Sequence, residues 1–126
     1  MDYPQDLKYT KEHQWVAIQG ETAIIGITDY AQSELGEIVF IELPELNANI
    51  KKDSVLCVAE STKTASDVHV PISGDIIEVN EELEDNPSLV NKDPYKEGWI
   101  VKIKNFDKKE YDALMSANDY QAYIAH

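Results

Sequence analysis

The sequence has no arginine. Its 11 basic side chains are all lysine, set against 24 aspartates and glutamates, for a formal net charge of −13 at pH 7. That balance excludes an electrostatic nucleic-acid binder, because phosphate contacts need a basic face. The missing guanidinium excludes bidentate recognition of phosphate or carboxylate as well. Cysteine is nearly absent: Cys57 is alone, so neither an intramolecular disulfide nor a cysteine-rich metal site can form. It stands in the apolar run Val55-Leu56-Cys57-Val58-Ala59, which predicts a buried, inert thiol. No apolar stretch approaches the roughly 18 residues of a membrane span. The first residues carry neither a basic nor an arginine-rich leader pattern, so a cytoplasmic protein is expected. The five glycines are dispersed at 20, 26, 36, 74 and 98, which leaves no phosphate-cradling loop. His13, His69 and His126 are too scattered for a zinc site or a Cys57–His nucleophile pair.

What is present suffices for one core. A chain of 126 residues that is 43% hydrophobic is too apolar for disorder, and a single domain spanning 1–126 is expected. Most of the pattern is β-like. Segments 15–19 and 22–27 flank Gly20-Glu21, with glycine where a type II′ hairpin turn needs it. Thr28-Asp29 predicts the N-cap of a short helix through Ala31 and Leu35, with Gly36 as its αL stop. Ile38-Val39-Phe40-Ile41 predicts a buried strand, ended by Pro44. Segments 54–60 and 65–70 form a second β unit, with Val68, Val70 and Ile72 on one face and Asp67 and His69 on the other. Beyond Pro71 and Ser73-Gly74, a strand resumes at Ile76. Residues 80–98 read as a long surface connection with about one turn of helix. Trp99, Val101 and Ile103 alternate with Ile100, Lys102 and Lys104 as a last strand. Asp107-Lys108-Lys109-Glu110 resembles a capping box leading to Tyr111, Leu114 and Met115. A further helix is expected from Asn118-Asp119 through Tyr120, Tyr123 and Ile124, both helices covering the β core without chemistry of their own.

One segment invites a functional reading. Two strand-like arms converge on Glu60-Ser61-Thr62-Lys63-Thr64-Ala65-Ser66-Asp67. Small side chains around Lys63 leave its ammonium clear at a hairpin tip, reachable by a modifying enzyme. Such a lysine suits a tethered group-carrying cofactor, which brings the chemistry while the protein supplies position.

The wider sequence resembles the H proteins of the glycine cleavage system from Leu7 to Tyr123. The resemblance rests on Gly26-Ile27-Thr28-Asp29-Tyr30-Ala31-Gln32 and Leu35-Gly36-Glu37-Ile38-Val39-Phe40-Ile41-Glu42-Leu43-Pro44-Glu45. It continues through Glu60-Ser61-Thr62-Lys63-Thr64-Ala65-Ser66-Asp67-Val68, Pro71-Ile72-Ser73-Gly74 and Asn91-Lys92-Asp93-Pro94-Tyr95-Lys96-Glu97-Gly98-Trp99. It implies a mostly β barrel-sandwich hybrid of the lipoyl-domain type, with two antiparallel sheets, short peripheral helices and a C-terminal helical segment. It implies lipoic acid joined to the Lys63 amine, with Glu60 and Gly74 recognised by the lipoylating enzyme. Gly74 would permit a tight turn opposite the tip, where a Cβ clashes or the φ is barred.

The implied function is that of a carrier without catalysis of its own. A pyridoxal-phosphate-dependent glycine decarboxylase loads an aminomethyl group, and a tetrahydrofolate-dependent aminomethyltransferase unloads it. Dihydrolipoyl dehydrogenase then reoxidises the dithiol. A monomer is expected, with neither nucleic acid nor membrane as partner. The rival reading within the resemblance is a lipoate donor to 2-oxo-acid dehydrogenase complexes. A biotin carrier is disfavoured because threonines flank Lys63 where that family has methionines. The loaded arm is implied to fold into a cleft. Where the family has His-Glu-Trp this chain has His13-Gln14-Trp15, so the carboxylate is replaced by an amide. Asp67 is expected to keep the charge interaction, with Glu12 as a substitute, His13 shaping the region and Trp15 in the core. Asn47 and Asp53 stand where the family often has glycine; both types tolerate αL geometry.

Overall fold

The computed structural model describes residues 2–125, so His126 lies outside the described residues. Two antiparallel sheets pack their apolar faces on one core. The larger runs in the order β1 (Lys8–Tyr9), β2 (Gln14–Gln19), β3 (Thr22–Ile27), β9 (Val101–Lys104), β8 (Gly74–Val79) and β5 (Asn49–Ile50). The smaller has β6 (Val55–Ser61) between β4 (Ile38–Glu42) and β7 (Ala65–His69). Val16, Ile25, Ile76 and Ile103 from the first sheet meet Ile38, Ile41, Leu56 and Val68 from the second. This is the mostly β, two-sheet fold with short helices that the sequence predicts.

Local chemistry explains most element ends. Gly20 alone of the β2–β3 turn pair takes positive φ, +65°, and Gln19 pairs directly with Thr22 across it, as a type II′ turn requires. Thr28 caps α1 (Asp29–Leu35) by accepting the Ala31 N–H. The helix stops at Gly36, but at φ +84° and ψ −163° rather than in αL. That region is essentially closed to other residues. Asn47 and Asp53 take φ of +66° and +71°, so each fills a left-handed position.

Other expectations need correction. The run Ile38-Val39-Phe40-Ile41 is not uniformly buried: a register shift between Ile38 and Phe40 turns Ile38 and Ile41 inward and leaves Val39 and Phe40 about half exposed. A bulge of this kind breaks the period-two alternation. The connection at 80–98 carries two short helices, α2 (Glu82–Asp85) and α3 (Leu89–Lys92), pinned by the fully buried Leu83 and Val90. Ile100 is buried together with Val101 and Ile103, so the two sides of that segment do not divide into core and solvent.

At the C-terminal side, Asp107 caps α4 (Lys108–Asp112) by accepting from Lys109 and Glu110. The Glu110 carboxylate does not close a capping box; it accepts from the Ser73 N–H at 2.7 Å. The last helix, α5 (Ala117–Ile124), starts at Ser116 rather than Asn118. Its buried Ala117 and Tyr120 join Leu7, Tyr9 and Trp15 in a second apolar cluster. Trp15 is a core residue whose indole N–H donates to the Pro94 carbonyl. Cys57 is buried, and desolvation pushes its thiol up to about 12.

Candidate functional site

Lys63 lies exposed in the loop between β6 and β7. A two-residue hairpin normally uses primed turns with positive φ, yet neither Thr62 nor Lys63 has one. Ser61 supplies the substitute. Its N–H donates to the Thr64 carbonyl at 2.7 Å, and its hydroxyl oxygen accepts the N–H groups of Lys63 and Thr64, each at 3.1 Å. The turn is thus closed by a serine side chain. No ion pair engages the Lys63 amine among the described residues.

The tip rests on the turn that follows α1. Thr62 donates its N–H to the Glu37 carbonyl, and the Lys63 stem crosses Gly36 so closely that a Cβ there would sit 2.9 Å from Lys63 Cε. Asn91 holds this turn in place. Its Oδ1 accepts the Ile38 N–H, and its Nδ2 donates to the Gly36 carbonyl and to Gln32 Oε1, all at 2.8 Å.

Next to Gly36 begins a cleft of about 270 Å³ between α1 and β7, reaching β2. Ile27, Ala31, Leu35 and Val68 give it apolar walls, and Glu12, Glu34 and Asp67 line it with carboxylates. No lysine lines it. His13 stands at one side, its Nδ1 2.8 Å from the hydroxyl of buried Tyr120. The same hydroxyl lies 2.8 Å from Thr28 Oγ1, and burial raises its pKa, keeping its proton for this network. The arrangement can take an apolar ligand that ends in a cation. Among the described residues no group of histidine, cysteine and carboxylate side chains is set to hold a metal ion.

Comparison with known proteins gives this geometry its context. Residues 7–126 match the family model described as Glycine cleavage H-protein. The chain belongs to the glycine cleavage H-protein family. A glycine cleavage system H protein from Halothermothrix orenii is 51% identical over 98% of this chain and 97% of its own. One from Staphylococcus carnosus is 49% identical over 98% of both. The crystal structure of a glycine cleavage system H protein from Mycobacterium marinum superposes with a TM-score of 0.88 at 33% identity, covering 98% of this chain and 99% of that one.

Within this H-protein framework the residues singled out in the sequence fall into two places. Glu12, His13, Gln14 and Asp67 come together around the cleft; Glu60 and Gly74 do not. Glu60 is exposed on β6, directly between Phe40 and Ala65. Gly74 belongs to the other sheet, where its φ is not positive and the constraint is room alone. A Cβ there would lie 2.9 Å from Ile103 Cδ1 and 3.0 Å from the Lys104 carbonyl oxygen. Gln14 is buried, with both ends of its amide engaged: Oε1 accepts from the Thr10 hydroxyl and Nε2 donates to the Glu12 carbonyl. A carboxylate at this position would face that carbonyl with no hydrogen to donate. Tyr30 and Glu34 also line the cleft, Gly36 and Asn91 seat the hairpin tip, and Tyr120 backs His13; no local pattern in the sequence marks any of the five for such a role. Tyr120 is buried behind the cleft and touches it only through His13, so its helix covers the core as the sequence predicts.

Burial lowers the pKa of His13 below its ordinary 6.5, with Glu12 and Glu34 pulling the other way. The unfolded chain therefore binds more protons than the native protein between 6.5 and the depressed native value. Stability falls as pH drops through that window. His13→Gln is expected to flatten this part of the acid response, read as the change in urea midpoint between about pH 7.5 and pH 5.5. An unchanged slope would free His13 from the acid sensitivity.

Proposed function

We propose that this chain, acting as one domain over 1–126, is a non-enzymatic carrier of the glycine cleavage system with lipoic acid in amide linkage to Lys63. The observation that carries this reading is an exposed hairpin lysine packed over Gly36, with an acidic, apolar-walled cleft lined by the adjoining Leu35 and by Ser66, Asp67 and Val68 of the hairpin's second strand. The residues fit the group. Ser61, Thr62 and Thr64 leave the amine accessible, while Leu35, Ala31 and Val68 offer an apolar path for a hydrocarbon arm. When attached, the lipoyl disulfide supplies a two-electron couple and a sulfur that bears the glycine-derived aminomethyl group.

The protein's own part is positioning and water exclusion. Asp67, Glu34 and Glu12 favour a terminal ammonium in the cleft through charge. Gln14 shapes the wall and keeps its amide for the backbone. The partners of this carrier are a pyridoxal-phosphate-dependent glycine decarboxylase, a tetrahydrofolate-dependent aminomethyltransferase, dihydrolipoyl dehydrogenase and a lipoylating enzyme. It works as a cytoplasmic monomer. Among the described residues no helix is long and apolar enough to cross a membrane.

The test is direct. Purified protein incubated with a lipoate-attaching enzyme, lipoate and ATP is expected to gain one lipoyl mass, mapped to Lys63 by peptide analysis. Only that form is expected to support glycine-dependent CO₂ exchange by the decarboxylase. A lysine that stays unmodified, or a lipoylated protein without exchange activity, would overturn the assignment.

A further inference from the structure

The outer face of the three-stranded sheet carries an apolar centre with an acidic rim. Phe40, Glu60 and Ala65 form one cross-strand row, and Glu42, Val58 and Asp67 form the next. Paired residues point to the same side of a sheet, and five of these six are exposed, with Val58 half-buried. Phe40 is 48% exposed, large for an aromatic ring. None of the three carboxylates takes part in an ion pair among the described residues. An aromatic side chain framed by unpaired charges is the composition of an interface centre and its rim.

We infer that this face, centred on Phe40, is the docking surface for the enzyme that acylates Lys63, and that this enzyme brings an apolar surface flanked by cationic side chains. The inference rests on the lipoylation proposed above. Reach selects the occupant. Before modification the amine has only its own side chain to extend, so the acylating active site must approach the hairpin itself and cover the face beside it. Enzymes that act on a finished arm meet no such requirement. In the reaction the deprotonated ε-nitrogen attacks the carbonyl carbon of lipoyl-adenylate. An amide C–N bond forms, the bond from acyl carbon to phosphate oxygen breaks, AMP departs, and the nitrogen releases a proton. No electron transfer is involved. Glu42, Glu60 and Asp67 supply the charge complementarity that steers and registers the encounter.

The experiment is initial-rate lipoylation of the full-length chain by an ATP-dependent lipoate-attaching enzyme with lipoate, product being read by intact mass. Phe40→Ala is expected to raise KM for the protein about tenfold with kcat changed less than about twofold, the pattern of lost binding at a rim-protected anchor. Glu42→Lys is expected to raise KM comparably, and added salt to raise the wild-type KM. Phe40→Leu retains most of the affinity. Ile18→Ala and Ile77→Ala, exposed apolar residues of the other sheet, leave KM unchanged. A Phe40→Ala KM equal to wild type would overturn the inference while leaving lipoylation standing. So would an effect confined to glycine decarboxylase acting on pre-lipoylated protein. A wild-type chain that accepts no lipoyl group would remove the proposed function and this inference together.

Discussion

Lys63→Arg is expected to gain no lipoyl mass and to reduce glycine-dependent CO₂ exchange to background while the protein folds as before. The guanidinium keeps the positive charge and a comparable stem, but it is not a nucleophilic amine and stays protonated. The side chain is exposed and pairs with no carboxylate among the described residues, so stability should move by less than about 0.5 kcal/mol. Because fold and charge are both retained, any loss belongs to the missing attachment atom. Lys52→Arg, exposed and outside the β6–β7 hairpin, is the matched control and should lipoylate and exchange normally. Intact-mass spectrometry and the exchange assay on the same preparations decide the matter. Exchange retained by Lys63→Arg would refute the carrier assignment whatever the mass showed.

Asn91→Asp is expected to destabilise the fold by about 2–4 kcal/mol, unusually much for a near-isosteric change at a half-buried residue. The acceptor for the Ile38 N–H survives the substitution, but the two donated bonds to Gly36 and Gln32 do not. In their place a carboxylate oxygen faces two acceptor oxygens. Gln32 offers no easy escape, since its Nε2 is held by Asp29 at 2.7 Å and a flip would break that bond. The turn bearing Gly36 and Glu37 is the seat of the hairpin tip, so lipoylation should slow as well. Urea unfolding with an unchanged m-value gives the first number and initial-rate lipoylation the second. Acidification below about pH 4 should narrow the gap, because a protonated carboxyl regains a donor. A variant as stable as wild type would mean that Asn91 does not hold the turn.

The contrast between these two residues describes what could be read from the sequence. The hairpin that presents Lys63 was legible locally, in two strand-like arms around small side chains, but its functional reading came only from matching blocks spread over nearly the whole chain. The Thr28 cap, the Gly20 turn and the burial of Cys57 were legible locally as well. Asn91 lies in what reads as a surface connection, and its three partners, 53 to 59 residues away, leave no local trace of its role. Tyr120 was further hidden, meeting His13 across 107 residues. The strands β1 and β5 have two residues each, too few to show a period. Phe40 was misread because a bulge moved it out of the alternation that its neighbours suggested. Gln14 lines the cleft, but the sequence does not show that its amide is taken up by Thr10 and Glu12.

The buried Cys57 has a consequence for a body that carries a reactive sulfur ring. A strained cyclic disulfide on a mobile tether is open to attack by any nearby thiolate, and a mixed disulfide with its own carrier would leave the arm locked down. At pH 7 a thiol titrating near 12 is ionised in roughly one molecule in a hundred thousand. With no other cysteine in the chain, the carrier is chemically deaf to its own cargo, and exchange is left to the enzymes it visits.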